Sequence, residues 1–187
     1  MRISLFAALA LLSACQPATQ NAESAATGRE TAAATLFEPG GDPSVFMVRA
    51  GNTVTPVIDD AGKVTSVILQ SSVRGNQAVG DGNSILLKVP TSFRASASGQ
   101  PVEVLISARE VPGKSPPAFY AAYSRPDVTS SGWREMRVGP EFADQMMEFT
   151  PPADVTAART DDLVLIYADV EGLGRSVEIQ SVRLKTK

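Results

Sequence analysis

The richest concentration of polar and aromatic side chains lies just beyond the middle of the 187-residue sequence. Tyr120, Tyr123, Arg125 and Asp127 place two phenol rings beside a cation and a carboxylate, and Trp133 is the only tryptophan. Tyrosine and tryptophan combine an apolar ring with a polar edge, which suits contact with a sugar or a protein partner. These five residues are therefore the predicted ligand-binding residues. A structural role is the alternative. The tyrosine stretch is then an ordinary strand with one buried aromatic row, and the tryptophan is a half-buried residue of the core.

Two pairs of adjacent carboxylates, Asp59–Asp60 and Asp161–Asp162, offer a different chemistry. Facing acids about 5–9.5 Å apart cleave glycosidic bonds, and grouped acids bind metal ions. Adjacent acids beside glycine or threonine are more typical of solvated turns, which we predict here. The sequence has no histidine and one cysteine, which excludes Ser-His-Asp and Cys-His catalysis, His/Cys zinc sites and an intrachain disulfide. We therefore predict no enzymatic activity, with a carboxylate-dependent glycoside hydrolase as an alternative.

The single cysteine, Cys15, follows a charged start and a run of apolar residues from Leu5 to Leu12. This run is too short to span a bilayer, which needs about 20 residues. A charged start, a short apolar stretch and small residues before a cut are typical of a signal peptide, predicted here as residues 1–14. The residues Leu12-Ser13-Ala14-Cys15 resemble the bacterial lipobox. That resemblance implies a lipoprotein whose Cys15 carries acyl chains such as palmitate, and Gln16 implies the outer membrane of the cell envelope. A plain secretory signal is the alternative.

The segment after the cysteine has the composition of a spacer. Residues 16–35 contain no Val, Ile, Leu, Met or aromatic side chain, so they cannot bury enough apolar area to offset their chain entropy. We predict a flexible lipidated tether over residues 15–35 and one domain over residues 36–187. The net charge of −3 without a basic cluster excludes nucleic acid as a partner. The expected partners are the membrane, through the lipid on Cys15, and a glycan or an envelope protein.

Short runs rich in β-branched residues alternate with turns rich in Gly, Pro, Asn and Asp after residue 36. This pattern is typical of an antiparallel sandwich or barrel. The apolar residues at the start and end of the last run are out of phase, which predicts a β-bulge near Gln180-Ser181. Residues 140–145 are predicted as a turn or a short helix. The predicted strands cover residues 45–48, 54–58, 64–72, 84–89, 102–109, 118–124, 133–138, 146–150, 163–170 and 176–184.

The sequence resembles the galactose-binding-like jelly-roll domains that serve as carbohydrate-binding modules. The resemblance covers roughly residues 84–184 and implies one antiparallel jelly-roll β-sandwich. It also implies a non-catalytic, membrane-anchored binding module that recognises a carbohydrate. An envelope protein-interaction or assembly accessory with no sugar ligand is the alternative. The matching segments are Leu36-Phe37-Glu38-Pro39-Gly40, Gly132-Trp133, Phe149-Thr150-Pro151-Pro152, residues 162–169 with Gly172, and residues 177–184.

Members of that family often hold a structural calcium ion between the opening glutamate and an aspartate of the last strand. Glu38 matches the glutamate, but Gln180 stands at the aspartate position. A hard cation prefers several oxygen ligands with more negative charge than this pair provides. No cofactor is therefore expected, and a structural calcium at Glu38 stays an open alternative.

Overall fold

The computed structural model describes residues 31–75, 83–126, 128–153 and 161–187. In these ranges the chain forms twelve β-strands, one short α-helix and one 3-10 turn at Pro43–Val45. The predicted signal peptide, Cys15 and most of the predicted tether lie outside the described residues. Among the residues that are described, no helix has the length and apolar character needed to cross a membrane.

The strands form two antiparallel six-stranded sheets, here called sheet A and sheet B. The strands of sheet A are β1 (Ala33–Phe37), β3 (Asn52–Ile58), β4 (Val64–Ser71), β6 (Val102–Glu110), β10 (Ala143–Phe149) and β12 (Arg175–Thr186). Their order is β10-β6-β12-β4-β3, and β1 pairs with the end of β12 beyond β4.

The strands of sheet B are β2 (Phe46–Met47), β5 (Ile85–Lys88), β7 (Ala118–Arg125), β8 (Thr129–Ser130), β9 (Arg134–Arg137) and β11 (Leu163–Tyr167). Their order is β2-β5-β11-β7-β8, and β9 also pairs with β7. Sheets A and B stack face to face, and alternate residues of each strand point into the space between them. The predicted all-β jelly-roll sandwich is confirmed.

The apolar core fills the space between the sheets. Val104, Ile106, Ile166 and Ile179 are fully buried there, each with no exposed surface. The bulge predicted in the last strand is confirmed, because the pairing of β12 with β6 shifts register between Ile179 and Ser181. One extra residue at this point turns the apolar residues of both halves of β12 toward the same core.

Several elements differ from the sequence prediction, among them β8, which falls outside the predicted strands, and the 3-10 turn, which the sequence did not predict. Strand β1 begins at Ala33, inside the predicted tether, because its backbone pairs with β12 and needs no apolar side chains for that pairing. Helix α1 spans Thr91–Ala97 where no helix is predicted. Its Phe93 and Ala97 are four residues apart and both buried, so one face of the helix closes the end of the core. Residues 140–145 form no helix, and β10 begins among them at Ala143.

Candidate functional site

Strand β7 separates the predicted ligand-binding residues onto two faces of sheet B. Successive side chains of a strand point to opposite sides, so Tyr120 faces outward while Tyr123 and Arg125 face the core. Tyr123 has no exposed surface and Arg125 retains 1%, whereas Tyr120 is half-buried. Two of the predicted ligand-binding residues, Tyr123 and Arg125, are therefore buried in the core and not accessible to a ligand. Asp127 lies outside the described residues.

Tyr123 and Arg125 converge on one buried carboxylate, that of Asp162. The Tyr123 hydroxyl donates to Asp162 Oδ2 at 2.7 Å, and Arg125 donates to both carboxylate oxygens at 2.9–3.1 Å. Arg94 of α1 lies 3.3 Å from Asp162 Oδ1. Burial raises the pKa of Tyr123, and the hydrogen bond to Asp162 raises it further. We call Tyr123, Arg125, Asp162 and Arg94 the closed cluster; Arg94, with 20% of its side chain exposed, is the member that reaches solvent.

The closed cluster also corrects the prediction for the second acid pair. Asp162 is fully buried instead of lying in a solvated turn, because two guanidinium groups compensate its charge. Asp161, in contrast, is exposed and pairs with Lys88 at 2.8 Å. Asp59 lies in the β3–β4 hairpin turn as predicted and accepts from the backbone N–H groups of Ala61 and Lys63.

A cleft of about 420 Å³ opens beside Tyr120 at one end of sheet B. Strand β7 supplies Tyr120, strand β9 supplies two residues, and the β11–β12 loop supplies three. We call this opening the Tyr120 cleft. Its polar lining consists of Tyr120, Glu135, Arg137, Asp169, Glu171 and Arg175.

Cross-strand pairing places the acid of β9 beside Tyr120. Tyr120 lies opposite Glu135 in the β7–β9 register, and its hydroxyl donates to Glu135 Oε2 at 3.2 Å. Burial raises the pKa of Tyr120, and the carboxylates of Glu135 and Glu171 raise it further. The Glu135 side chain keeps 48% of its surface exposed, and that of Arg137 keeps 86%. These groups are therefore available to a ligand.

The far wall of the Tyr120 cleft is a loop organised by Asp169. This fully buried carboxylate accepts from the backbone N–H groups of Glu171, Leu173 and Arg175 at 2.8–3.2 Å. It also accepts from Arg175 Nη2 at 2.7 Å. Burial alone would raise the pKa of Asp169, but these hydrogen bonds outweigh it and hold the pKa below its usual value. The loop also needs Gly172, whose φ is +70° and where a Cβ would lie 2.3 Å from Arg74 N.

Trp133 lies on the same outer face of sheet B, next to the Tyr120 cleft. Its ring centroid is 4.7 Å from that of Tyr167, and Tyr167 pairs with Tyr120 across β11 and β7. The tryptophan is half-buried, and within the described ranges its Nε1 has no hydrogen-bond partner. It packs with a small apolar group on this face, made of Met47, Leu86, Ala122, Leu163 and Leu165.

The described residues form no cluster of three or more acidic, histidine or cysteine side chains that could hold a metal ion. Glu38 is exposed, and the Lys63 side chain lies over the neighbouring Gly40. These surroundings give no support to calcium at Glu38.

Sequence reasoning missed most of the Tyr120 cleft. Glu135 and Arg137 lie in a strand whose partner only the register reveals. Asp169 lies near the end of the predicted strand 163–170, and Arg175 comes directly before the predicted strand 176–184. Their positions near a predicted turn were the signal that the sequence offered for this part of the cleft.

The Tyr120 cleft is far from the point where the described chain begins. Strand β12 starts at Arg175, in the cleft wall, and ends at Thr186, whose N–H donates to Ala32 O at 2.8 Å. Its 12 residues span about 36 Å at a rise of about 3.3 Å per residue. The cleft and Ala32 therefore lie at opposite ends of the sandwich.

The chain matches no protein-family model and no curated protein. Solved structures with the same fold exist. The CBM22-1 xylan-binding domain of Paenibacillus barcinonensis Xyn10C has a TM-score of 0.53 at 11% identity, over 83% of this chain and 96% of that one. A CBM22 tandem domain from the same protein has a TM-score of 0.51 at 12% identity, over 83% of this chain and 46% of that one.

A third similar structure is that of Clostridium thermocellum endo-1,4-beta-D-xylanase 10B, with its CBM22-1 and GH10 modules bound to xylohexaose. The TM-score is 0.52 at 9% identity, and the match covers 82% of this chain but only 29% of the xylanase chain. The predicted likeness to carbohydrate-binding jelly rolls is confirmed at the level of the fold.

Proposed function

We propose that this chain is a non-catalytic carbohydrate-binding module whose Tyr120 cleft contacts the sugar. The observation that carries the proposal is one open cleft in which an aromatic ring lies beside carboxylate and guanidinium groups. Its volume of about 420 Å³ falls in the range of about 300–1,000 Å³ that small-molecule sites occupy.

The chemistry of the lining suits a polyhydroxylated ligand. A sugar has apolar C–H faces and a rim of hydroxyl groups, so it needs both ring contact and charged hydrogen-bond partners. Tyr120 supplies the ring, Glu135 and Glu171 supply acceptors, and Arg137 supplies donors. Structures with this fold include a xylan-binding domain and a xylanase bound to xylohexaose, which adds support for a glycan ligand.

The carboxyl groups of Asp161, Asp162 and Asp169 argue against hydrolysis. A glycosidase needs a general acid whose pKa is raised, so that it is protonated at neutral pH. Burial alone would raise the pKa of Asp169, but its hydrogen bonds outweigh burial and hold the pKa below its usual value; the hydrogen bond and charge of Lys88 lower the pKa of Asp161. Asp162 is occupied by Arg125 inside the closed cluster.

Affinity electrophoresis of the full chain through gels containing soluble polysaccharides, xylan among them, tests the proposal. We expect at least one polysaccharide to retard the protein and Tyr120→Ala to abolish the retardation. Met146→Ala is the matched control, because Met146 is 56% exposed on sheet A, away from the cleft. If no polysaccharide retards the protein, or if Tyr120→Ala is retarded like the wild type, the proposal fails. The envelope protein-interaction alternative then takes its place.

We also propose that lipid on Cys15 anchors the chain in the outer membrane. Ala32 and the Tyr120 cleft lie at opposite ends of the sandwich, so the attachment of the tether leaves the cleft unobstructed. We expect Cys15→Ser to move the protein from the membrane fraction to the soluble fraction. A Cys15→Ser protein that still sediments with membranes would contradict the lipid anchor and leave the glycan proposal untouched.

A further inference from the structure

The carboxylates that line the Tyr120 cleft outnumber the guanidinium groups, and the two kinds of group differ in how freely they can contact a ligand. Three carboxylates line it, those of Glu135, Asp169 and Glu171, against the two guanidinium groups of Arg137 and Arg175. The lining therefore carries a formal excess of one negative charge. Such an excess matters only if the guanidinium groups cannot turn toward a ligand.

Arg175 is held by the cleft's own carboxylates. Its guanidinium donates to Asp169 Oδ1 and pairs with Glu171. Asp169 has no exposed surface, so a move of Arg175 toward a ligand would leave a buried carboxylate without its cation. Removing one partner of a buried ion pair is strongly unfavourable. Arg175 is therefore not available to an acidic ligand.

Glu135 and Glu171 are the two carboxylates of the cleft that remain exposed to solvent, where a ligand would lie. Glu135 accepts from the Tyr120 hydroxyl, and Glu171 adds its negative charge to the same region. Both are substantially exposed, at 48% and 60% of their side-chain surfaces. Arg137 is the remaining cation, and it lies 3.6 Å from Glu135, which offsets its charge.

We infer that the Tyr120 cleft selects glycans without acidic groups and disfavours uronic-acid or sulfated polymers. This inference rests on the proposed function and adds a charge class to its ligand. A carboxylate or sulfate on the sugar would approach Glu135 and Glu171, while the exposed guanidinium of Arg137 already lies 3.6 Å from the carboxylate of Glu135. Like charges a few ångströms apart repel, and the repulsion weakens with salt.

Polymers that share a backbone and differ in charge provide the test. Affinity electrophoresis of the full chain is run with hydroxyethyl and carboxymethyl cellulose, and with neutral xylan and glucuronoxylan. On each backbone that binds, we expect the acidic form to bind about tenfold more weakly at low salt. The difference in affinity between the neutral and the acidic form should narrow at about 1 M salt, where charges are screened within about 3 Å.

Substitutions of the two exposed carboxylates test whether they cause the weaker binding of acidic polymers. Glu135→Gln combined with Glu171→Gln should narrow the difference between neutral and acidic polymers, because glutamine keeps the acceptor oxygen but removes the charge. Glu141→Gln is the matched control, since Glu141 is exposed and does not line the cleft; it should leave the difference unchanged. Acidic polymers that bind as well as neutral ones overturn this inference and leave the proposed function standing. Absence of binding to every polymer overturns the proposed function itself.

Discussion

Strand β7 contributes to two polar groups of residues that share their chemistry but differ in exposure. On its core side the closed cluster joins Tyr123 and Arg125 to Asp162. On its outer side, the Tyr120 cleft places Tyr120 beside Glu135. Each group contains a tyrosine that donates to a carboxylate. The difference shows that residue types alone do not identify a binding site, because the closed cluster uses its hydrogen bonds to hold the fold together.

The two groups should respond to mutation in opposite ways. Removing any partner from the closed cluster leaves a buried polar group unpaired. That unpaired group lowers the free energy of unfolding by much more than the hydrogen bond contributes on balance. In the Tyr120 cleft, water replaces a lost partner, so stability changes little while ligand contact is lost. Substitutions in the closed cluster and in the Tyr120 cleft can therefore be compared directly, beginning with the one that should change the stability most.

Asp162→Asn should lower the free energy of unfolding by about 3–5 kcal/mol, because Arg125 then stays buried without a compensating charge. Urea unfolding followed by the fluorescence of Trp133 measures the change. Asp161→Asn is the matched control, since its exposed ion pair with Lys88 should contribute at most about 1 kcal/mol. Equal losses in the two variants would show that the closed cluster does not stabilise the sandwich.

Asp169 occupies an intermediate position, because it is buried but organises the cleft wall. Asp169→Asn should lower the free energy of unfolding by about 1.5–3 kcal/mol near neutral pH, as expected for hydrogen bonds to a charged group. Because the pKa of Asp169 is held below its usual value, its contribution is complete above the unfolded-state pKa of about 4 and is lost as the pH falls further.

The stabilities of wild type and Asp169→Asn should therefore differ by a constant amount above about pH 4 and converge as the pH falls below it. Urea unfolding at several pH values measures both. Tracking the difference between the two proteins separates Asp169 from Asp42 and Glu103, whose pKa values are also lowered but which both proteins share. If the difference in the free energy of unfolding between the two proteins stays constant below about pH 4, the lost stability comes from the shape of the loop and not from the charge of Asp169.

The sequence predicts the sandwich better than it predicts the site. Alternation and turns locate most strands, and the phase change in β12 locates the bulge, because burial imposes a period of two on every strand. The same alternation indicates that Tyr120 and Tyr123 face opposite sides. It does not indicate which side is the core, since both faces of β7 are rich in apolar and aromatic residues.

What the sequence could not provide is pairing across long separations. Tyr120 meets Glu135 through the β7–β9 register, and Asp162 meets Arg125 across 37 positions of sequence. Such contacts depend on strand order, which the local pattern does not contain. The short strand β1 was missed for the same reason, because its backbone pairing with β12 is invisible in a segment poor in apolar residues.

Removing the hydroxyl oxygen from Tyr123 and from Tyr120 in turn compares the closed cluster with the Tyr120 cleft most directly. Tyr123→Phe should cost about 1.5 kcal/mol, because Asp162 loses a buried hydrogen bond at 2.7 Å. Tyr120→Phe removes a longer, solvent-facing bond at 3.2 Å to Glu135, so its effect should stay within about 0.5 kcal/mol. Urea unfolding gives both values, and affinity electrophoresis should show weaker glycan retention for Tyr120→Phe alone. The reverse order of stabilities would mean that the outer hydroxyl holds the fold and the inner one does not, because the two substitutions delete the same oxygen from the same strand.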